Sequence, residues 1–224
     1  MNKNPEHKLC VSLVPIFNHL EQPQMQEIAK LANTVKHGRG ETVYHQGDRS
    51  KGLYILHKGR VKIYRLSENG KEQLVRILEP GDFTGELALF DELPHDAYAE
   101  ALEPVELCVI GRPEIQRLLS EQPAISLKML QEFSSRLADT EQRAARIAME
   151  SADTRIALYL ADLSEEQNSL TVALPMSRKD LASHLGTTPE TISRKFSAFE
   201  DEGWIRQIDS KTVEIADLDS LLLV

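Results

Sequence analysis

Residues 177–199 read Ser177-Arg178-Lys179-Asp180-Leu181-Ala182-Ser183-His184-Leu185-Gly186-Thr187-Thr188-Pro189-Glu190-Thr191-Ile192-Ser193-Arg194-Lys195-Phe196-Ser197-Ala198-Phe199. Ser177 followed by Asp180 resembles a capping box with Asp in the place of Glu, so a helix opens there. It stops at Gly186. Thr188 is an N-cap, Pro189 stands at the first helical position and Glu190 follows in the first turn, so a second helix begins at once. Small Ala182 lets two helices cross closely, Gly186 takes the turn and Ile192 packs between them, which is the spacing of a helix-turn-helix. Ile192, Phe196 and Phe199 make the inward stripe of the second helix and leave Glu190, Ser193, Arg194 and Ser197 on its other side. Polar groups at the start of such a helix suit base edges: Arg grips guanine O6 and N7, Glu accepts from cytosine N4, and Ser adapts. The bland alternative is an ordinary solvated face; the cap, the glycine and the isoleucine in register argue against it.

Beyond this unit, Trp204-Ile205-Arg206 and Thr212-Val213-Glu214-Ile215 flank Asp209-Ser210-Lys211 and read as a β-hairpin wing. Arg206 and Lys211 on the wing, with Arg178 and Thr188 at the two helix starts, complete the candidate DNA-binding set. Before it, Pro113 to about Leu163 holds no glycine and has prolines only at 113 and 123. There Leu130, Phe133, Leu137, Thr140, Ala144, Ile147 and Ser151 recur at three- and four-residue steps, an a/d seam of about three heptads. With charged flanks, the seam suits self-association across Leu130, Phe133, Leu137, Thr140, Ala144 and Ile147; the alternative is packing on the rest of the chain. Asp153 to Leu163 reads as a second amphipathic helix, followed by a polar loop at Ser164–Ser169.

The N-terminal half is different. Eight of the eleven glycines lie between Gly38 and Gly85, and between them run short segments such as Leu53-Tyr54-Ile55-Leu56 and Val61-Lys62-Ile63-Tyr64. Short strands punctuated this way read as an antiparallel sandwich or barrel. Asn69-Gly70 signals a type I′ hairpin.

The chain has 224 residues, 41% of them apolar and 27% charged, an ordinary globular composition long enough for a core without disulfide staples. At roughly 150 residues per domain the length suits one large domain or two modest ones. No apolar run reaches the ~18 residues of a membrane span, and the first residues show no signal peptide. Two cysteines exclude a four-cysteine metal site and fit a reducing cytoplasm. The seven histidines show no HxxxH or HExxH spacing, and there is no P-loop or GxSxG, so an enzyme or a metal site is not expected. The net charge of −9, from 35 acids against 26 bases, argues at first against a nucleic-acid partner. By region the charge is uneven. Residues 176–212 hold six bases and six acids, so the helix-turn-helix and wing are neutral and the rest carries the whole excess.

In order, a β-roll, a long helix and a winged helix-turn-helix resemble the CRP/FNR family of bacterial transcription regulators. The resemblance spans about residues 12 to 218 and rests most on Gly81-Asp82-Phe83-Thr84-Gly85-Glu86-Leu87-Ala88-Leu89-Phe90 and Glu190-Thr191-Ile192-Ser193-Arg194. The second motif is similar to the FNR-type Glu-x-x-Ser-Arg pattern. The resemblance implies an α+β chain: an N-terminal antiparallel β-roll, a jelly roll like the cyclic-nucleotide-binding domain (1–112), a long dimerisation helix (113–151) and a C-terminal winged helix-turn-helix (152–224). It further implies a cytoplasmic homodimer reading double-stranded DNA at a palindrome, with half-sites near TTGAT or containing TGA, and RNA polymerase as a partner. Arg194 would read guanine and Glu190 a base opposite or beside it. Lys195 departs from the family, which has an apolar residue there.

The signal is less plain. Members that bind cyclic AMP use Gly-Glu-Leu followed by Arg-Ser; this chain keeps Gly85-Glu86-Leu87 but has His95-Asp96 in the second place. Asp96 without an Arg would repel a cyclic phosphate, and Glu141 follows Thr140 where the family has Ser, so Gly85, Glu86, Leu87, His95, Asp96 and Thr140 read as a degenerate effector pocket and cyclic AMP is not expected. Nor is a [4Fe–4S] cluster, because the four cysteines of its FNR-type holders are represented only by Cys10 and Cys108. What remains is similar to the FNR-like (FLP) subgroup, whose N-terminal and roll cysteines form a dithiol–disulfide switch. The alternatives are a small-molecule effector in the roll, a buried structural Cys108 with an adventitious Cys10, and a cyclic-nucleotide module that serves no DNA.

Overall fold

The computed structural model describes residues 11–70, 72–86, 89 and 93–224. The chain divides into two compact units, one ending at Leu137 and the other starting at Ala138.

The first unit holds helix α1 (Gln22–Leu31) and strands β1 (Ala32–His37), β2 (Thr42–Tyr44), β3 (Gly52–Lys58), β4 (Val61–Leu66), β5 (Glu72–Leu78), β6 (Phe83–Thr84), β7 (Tyr98–Ala101) and β8 (Val105–Gly111). They form two four-stranded antiparallel sheets, ordered β1-β8-β3-β6 and β2-β7-β4-β5. Strand β3 is apolar at successive positions because both its faces are covered. Tyr54 and Leu56 meet Tyr44, Val61, Ile63, Leu78 and Leu107 between the sheets. Leu53 and Ile55 face the other way, into a cluster with Ile28, Ile115, Ile125 and Met129. Strand β8 alternates likewise: Leu107 enters the first cluster, and Cys108 and Ile110 the second. Val11, Val14, Ile16 and Phe17, all fully buried, close that second cluster.

Helix α2 (Arg112–Glu121) and helix α3 (Pro123–Met149) follow. The sequence suggested one helical element over 113–151; the structure breaks it at Gln122, which takes φ −128° and ψ 85°. Pro123 is the reason, since a proline disfavours the helical conformation in the residue before it. The hairpin expected around Asn69-Gly70 forms, with β4 and β5 paired antiparallel up to Leu66 and Glu72, but its turn type differs. A type I′ turn needs positive φ at both residues, and only Gly70 has it, with the Gly70 amide donating to the Ser67 carbonyl at 2.8 Å. Ser67–Gly70 is therefore a four-residue turn closed by a left-handed glycine.

The second unit takes the end of α3 and adds α4 (Ala152–Glu166), β9 (Thr171–Ala173), α5 (Arg178–His184), α6 (Pro189–Asp201), β10 (Ile205–Gln207), β11 (Thr212–Ile215) and α7 (Leu218–Leu221). Helix α4 runs past the expected Leu163 to Glu166, because Ser164 is buried rather than solvated. The polar loop thus begins at Gln167. Strand β9, too short to show a period, extends the expected hairpin into a three-stranded sheet β10-β11-β9. No helix among the described residues is long and apolar enough to cross a membrane.

Candidate nucleic-acid interface

Helix α5 opens at Ser177, whose hydroxyl accepts from the Asp180 amide at 3.1 Å and donates to the Asp180 carboxylate at 2.6 Å. At its other end the Thr187 amide donates to Ala182 and the Gly186 amide to Ser183, the paired bonds of a Schellman ending. Gly186 takes φ 64°, which suits glycine, and a side chain there would also meet Ile147 at 3.3 Å. Thr188 then caps α6 by accepting from the Thr191 amide at 3.2 Å, with Pro189 at the first helical position. Ala182, Ile192, Phe196 and Phe199 are all buried. Glu190, Ser193, Arg194 and Ser197 are all exposed on one face of α6, as is the capping Thr188. The Glu190 carboxylate accepts from its own backbone amide and from the Thr188 hydroxyl, which hold it below the usual carboxylate range. It is therefore a fixed anion at a helix start.

The remaining basic residues divide. The Arg178 guanidinium lies over the Phe196 ring at 3.9 Å and donates to the Ser210 carbonyl at 3.3 Å and the Gln207 side chain at 3.2 Å. It ties the start of α5 to the wing. Arg206 pairs across the hairpin with Glu214. Lys195, where the resemblance led us to expect an apolar residue, reaches Asp153 on α4 at 2.6 Å. Arg194 and Lys211 are exposed and form no ion pair among the described residues. Two of the acids are also structural: Glu200 accepts from the Gln207 amide at 2.7 Å, and Asp209 from the Lys211 and Thr212 amides at 2.6 and 2.8 Å.

In the roll, the Glu86 carboxylate accepts from Arg76 at 3.2 Å and from Arg136 of α3 at 3.1 Å. The Arg136 guanidinium also covers the Phe83 ring at 4.0 Å. Neither arginine was expected; both lie on segments read only as strand and helix, and nothing in their spacing points to Glu86. His95 is buried and stacked on Tyr44 at 3.7 Å, and Tyr44 shares a 2.8 Å hydrogen bond with Thr84. Burial pushes the His95 imidazole below its usual pKa. Asp96 pairs with Arg65, which corrects the expectation that it stands uncompensated before an anion. Gly85 runs beside the Gly52 carbonyl; Leu87 lies outside the described residues, and Thr140 is exposed on the second unit.

Cys108 is buried and disulfide-bonded, while Cys10 lies outside the described residues. Along α3, Leu130 and Leu137 are 63% and 59% exposed, and Leu127, which the seam omitted, is 59% exposed. Phe133 instead packs against the roll cluster, so its place in the seam is taken inward. Ala144 is exposed, and Ile147 is partly covered by Gly186. Among the described residues no group of three His, Cys, Asp or Glu could hold a metal ion.

Two family models match: the cyclic nucleotide-binding domain over residues 34–122 and the Crp-like helix-turn-helix domain over residues 154–223. A probable transcriptional regulator flp of Lacticaseibacillus casei is 34% identical over 95% of this chain and 96% of its own. The chain belongs to the CRP/FNR family. A CRP-like cAMP-activated global transcriptional regulator of Mycobacterium tuberculosis is 29% identical over 92% of this chain and 94% of its own. The solved c-di-GMP responsive global regulator CLP of Xanthomonas campestris shares the fold with a TM-score of 0.76, at 24% identity over 87% of this chain and 99% of that one. These relatives are transcription regulators, and this chain is a DNA-binding regulator of the CRP/FNR type, not an enzyme.

His184, the last residue of α5, lies beside the Tyr159 ring, tilted to it with centroids 5.7 Å apart, and its Nδ1 is 3.4 Å from an Arg143 nitrogen. Burial first, then the Arg143 charge, push its pKa down to about 4. The unfolded chain takes up a proton near 6.5 and the folded one does not until about 4, so this contribution to stability is complete above pH 6.5 and is lost as pH falls toward 4. Its size is about 3 kcal/mol at most. Denaturation at pH 7 and pH 4.5 should show wild type losing more stability on acidification than His184→Gln.

Proposed function

We propose that the protein acts as a homodimer that reads a palindrome with TTGAT- or TGA-containing half-sites. The observation that carries this reading is the exposed face of α6, where Arg194 is unpaired, Glu190 is fixed beside it, and Ser193 and Ser197 complete the surface. Arg194 reads guanine, and Glu190 a neighbouring or opposite base. Lys211 meets phosphate, and the exposed Thr188 lies at the reading end of α6 beside Glu190. Arg178 and Arg206 serve the wing first, through Phe196, Gln207 and Glu214. Leu127, Leu130 and Leu137, exposed along one helix, supply a surface for a second copy. Each such leucine gains about 1.5–3 kcal/mol if fully buried. RNA polymerase is the partner through which a bound dimer acts.

For the signal, a dithiol–disulfide switch between Cys10 and Cys108 is the reading favoured. Cys108 is disulfide-bonded, the chain has one other cysteine, and Val11 beside it shares the buried cluster of Cys108. Closing the bond removes two protons and two electrons to an oxidant such as diamide. A small effector in the roll is the second reading. It draws on the buried His95 Nε2, which has no hydrogen-bond partner among the described residues, and on the relatives named for different effectors.

Fluorescence anisotropy with a TTGAT palindrome and a scrambled duplex tests the DNA reading. Arg194→Ala should lose about 1–3 kcal/mol of discrimination between the two per contacted base pair. Equal binding of both duplexes by wild type would refute it. On scrambled duplex the salt slope should be shallow, because few basic residues of the reading unit are free for phosphate. The switch predicts operator affinity that differs between diamide and DTT for wild type but not for Cys10→Ser; the same affinity in all four samples removes it.

A further inference from the structure

Helix α3 ends at Met149 and helix α4 starts at Ala152, so the chain turns through Glu150 and Ser151. A short break between two helices is where a hinge would be expected. Here it is braced. The Arg155 guanidinium, one turn into α4, donates from Nη1 to the Glu150 carbonyl at 2.6 Å and the Ile147 carbonyl at 3.4 Å. From Nε it donates to the Leu185 carbonyl at 2.9 Å, and from Nη2 to the Gly186 carbonyl at 3.4 Å. The first pair belongs to the end of α3 and the second to the turn of the helix-turn-helix. The last carbonyls of a helix have no partner within it and carry partial negative charge. One planar guanidinium therefore satisfies two helix ends at once, and its fork holds them at a set separation. A lysine ammonium, a single point with three donors, cannot span both. Around this centre Ile147 packs on Gly186, Arg146 pairs with Asp162 at 2.7 Å, and Arg143 meets His184.

We propose that Arg155 is a positioning residue for DNA reading: it fuses the last turn of α3, the start of α4 and the Leu185–Gly186 turn into one body, so that the corner does not hinge and α6 is presented at one fixed angle to the end of the long helix. This rests on the DNA reading above. The positioning acts on operator recognition only, since Arg155 itself belongs to no part of the DNA-facing surface of α6.

The test uses the full chain and the variants Arg155→Lys and Arg155→Gln. Operator and scrambled-duplex affinities are measured alongside hydrogen exchange in peptides covering residues 145–150, 183–187 and 205–215. Wild type should exchange the first two segments slowly and together. Both variants should open those two segments faster, leave 205–215 as in wild type, and lose about tenfold in operator affinity with scrambled-duplex affinity unchanged. Fast exchange of 145–150 in wild type, independent exchange of the two segments, or equal loss on both duplexes overturns the proposal; equal loss marks a merely structural role. If wild type selects no palindrome, the DNA reading fails, and the exchange data still decide whether the corner is braced.

Discussion

Burial of Ile192, Phe196 and Phe199 along one side of α6 governs what the protein can show to a partner. Each side chain gains about 1.5–3 kcal/mol from leaving water, which fixes the rotation of the helix about its axis. The opposite side then has to be Glu190, Ser193, Arg194 and Ser197. The turn before it is equally constrained. Ala182 is small enough for the helix crossing, and the left-handed Gly186 leaves room for Ile147 above it. Further contacts secure this arrangement: Arg178 lies across Phe196 to the wing, Lys195 reaches back to Asp153, and Glu200 holds Gln207.

This bracing changes the meaning of the charge balance. A neutral reading unit in a chain of net charge −9 looks poorly equipped for a polyanion. Several of its charges, however, serve the fold and face one another. The exposed cations left over on α6 and the wing are Arg194 and Lys211. On the proposed reading, such a surface has little grip on arbitrary DNA, and affinity comes from base contacts doubled by symmetry. The roll has the reverse character. Glu86 is enclosed by Arg76 and Arg136, and Asp96 is matched by Arg65, so its charges are largely satisfied internally.

The winged helix-turn-helix was legible because local signals agree there: caps, a C-terminal glycine and a 3.6-residue apolar period all mark the same boundaries. The sandwich was legible from glycine spacing, yet not its turn at Asn69-Gly70, where the left-handed conformation falls on one residue and not two. Pro123 was visible in the sequence, and its effect on Gln122 could have divided the helical stretch. Long-range side-chain partners were not legible. Arg136 to Glu86, Arg155 to Gly186 and Lys195 to Asp153 join residues far apart in sequence, and each of these bases reads alone as a solvated charge. Phe133 fits a heptad by spacing, but the roll offers it a closer apolar surface.

Base-specific reading by a symmetric dimer is decided by selecting binding sites from a random pool of duplexes, with the reduced and the oxidised protein side by side. One two-fold symmetric sequence with TGA-containing half-sites about one helical turn apart should be enriched, and Arg194→Ala should lose the guanine preference. Enrichment of an asymmetric site, or no enrichment in either redox state, would contradict that reading.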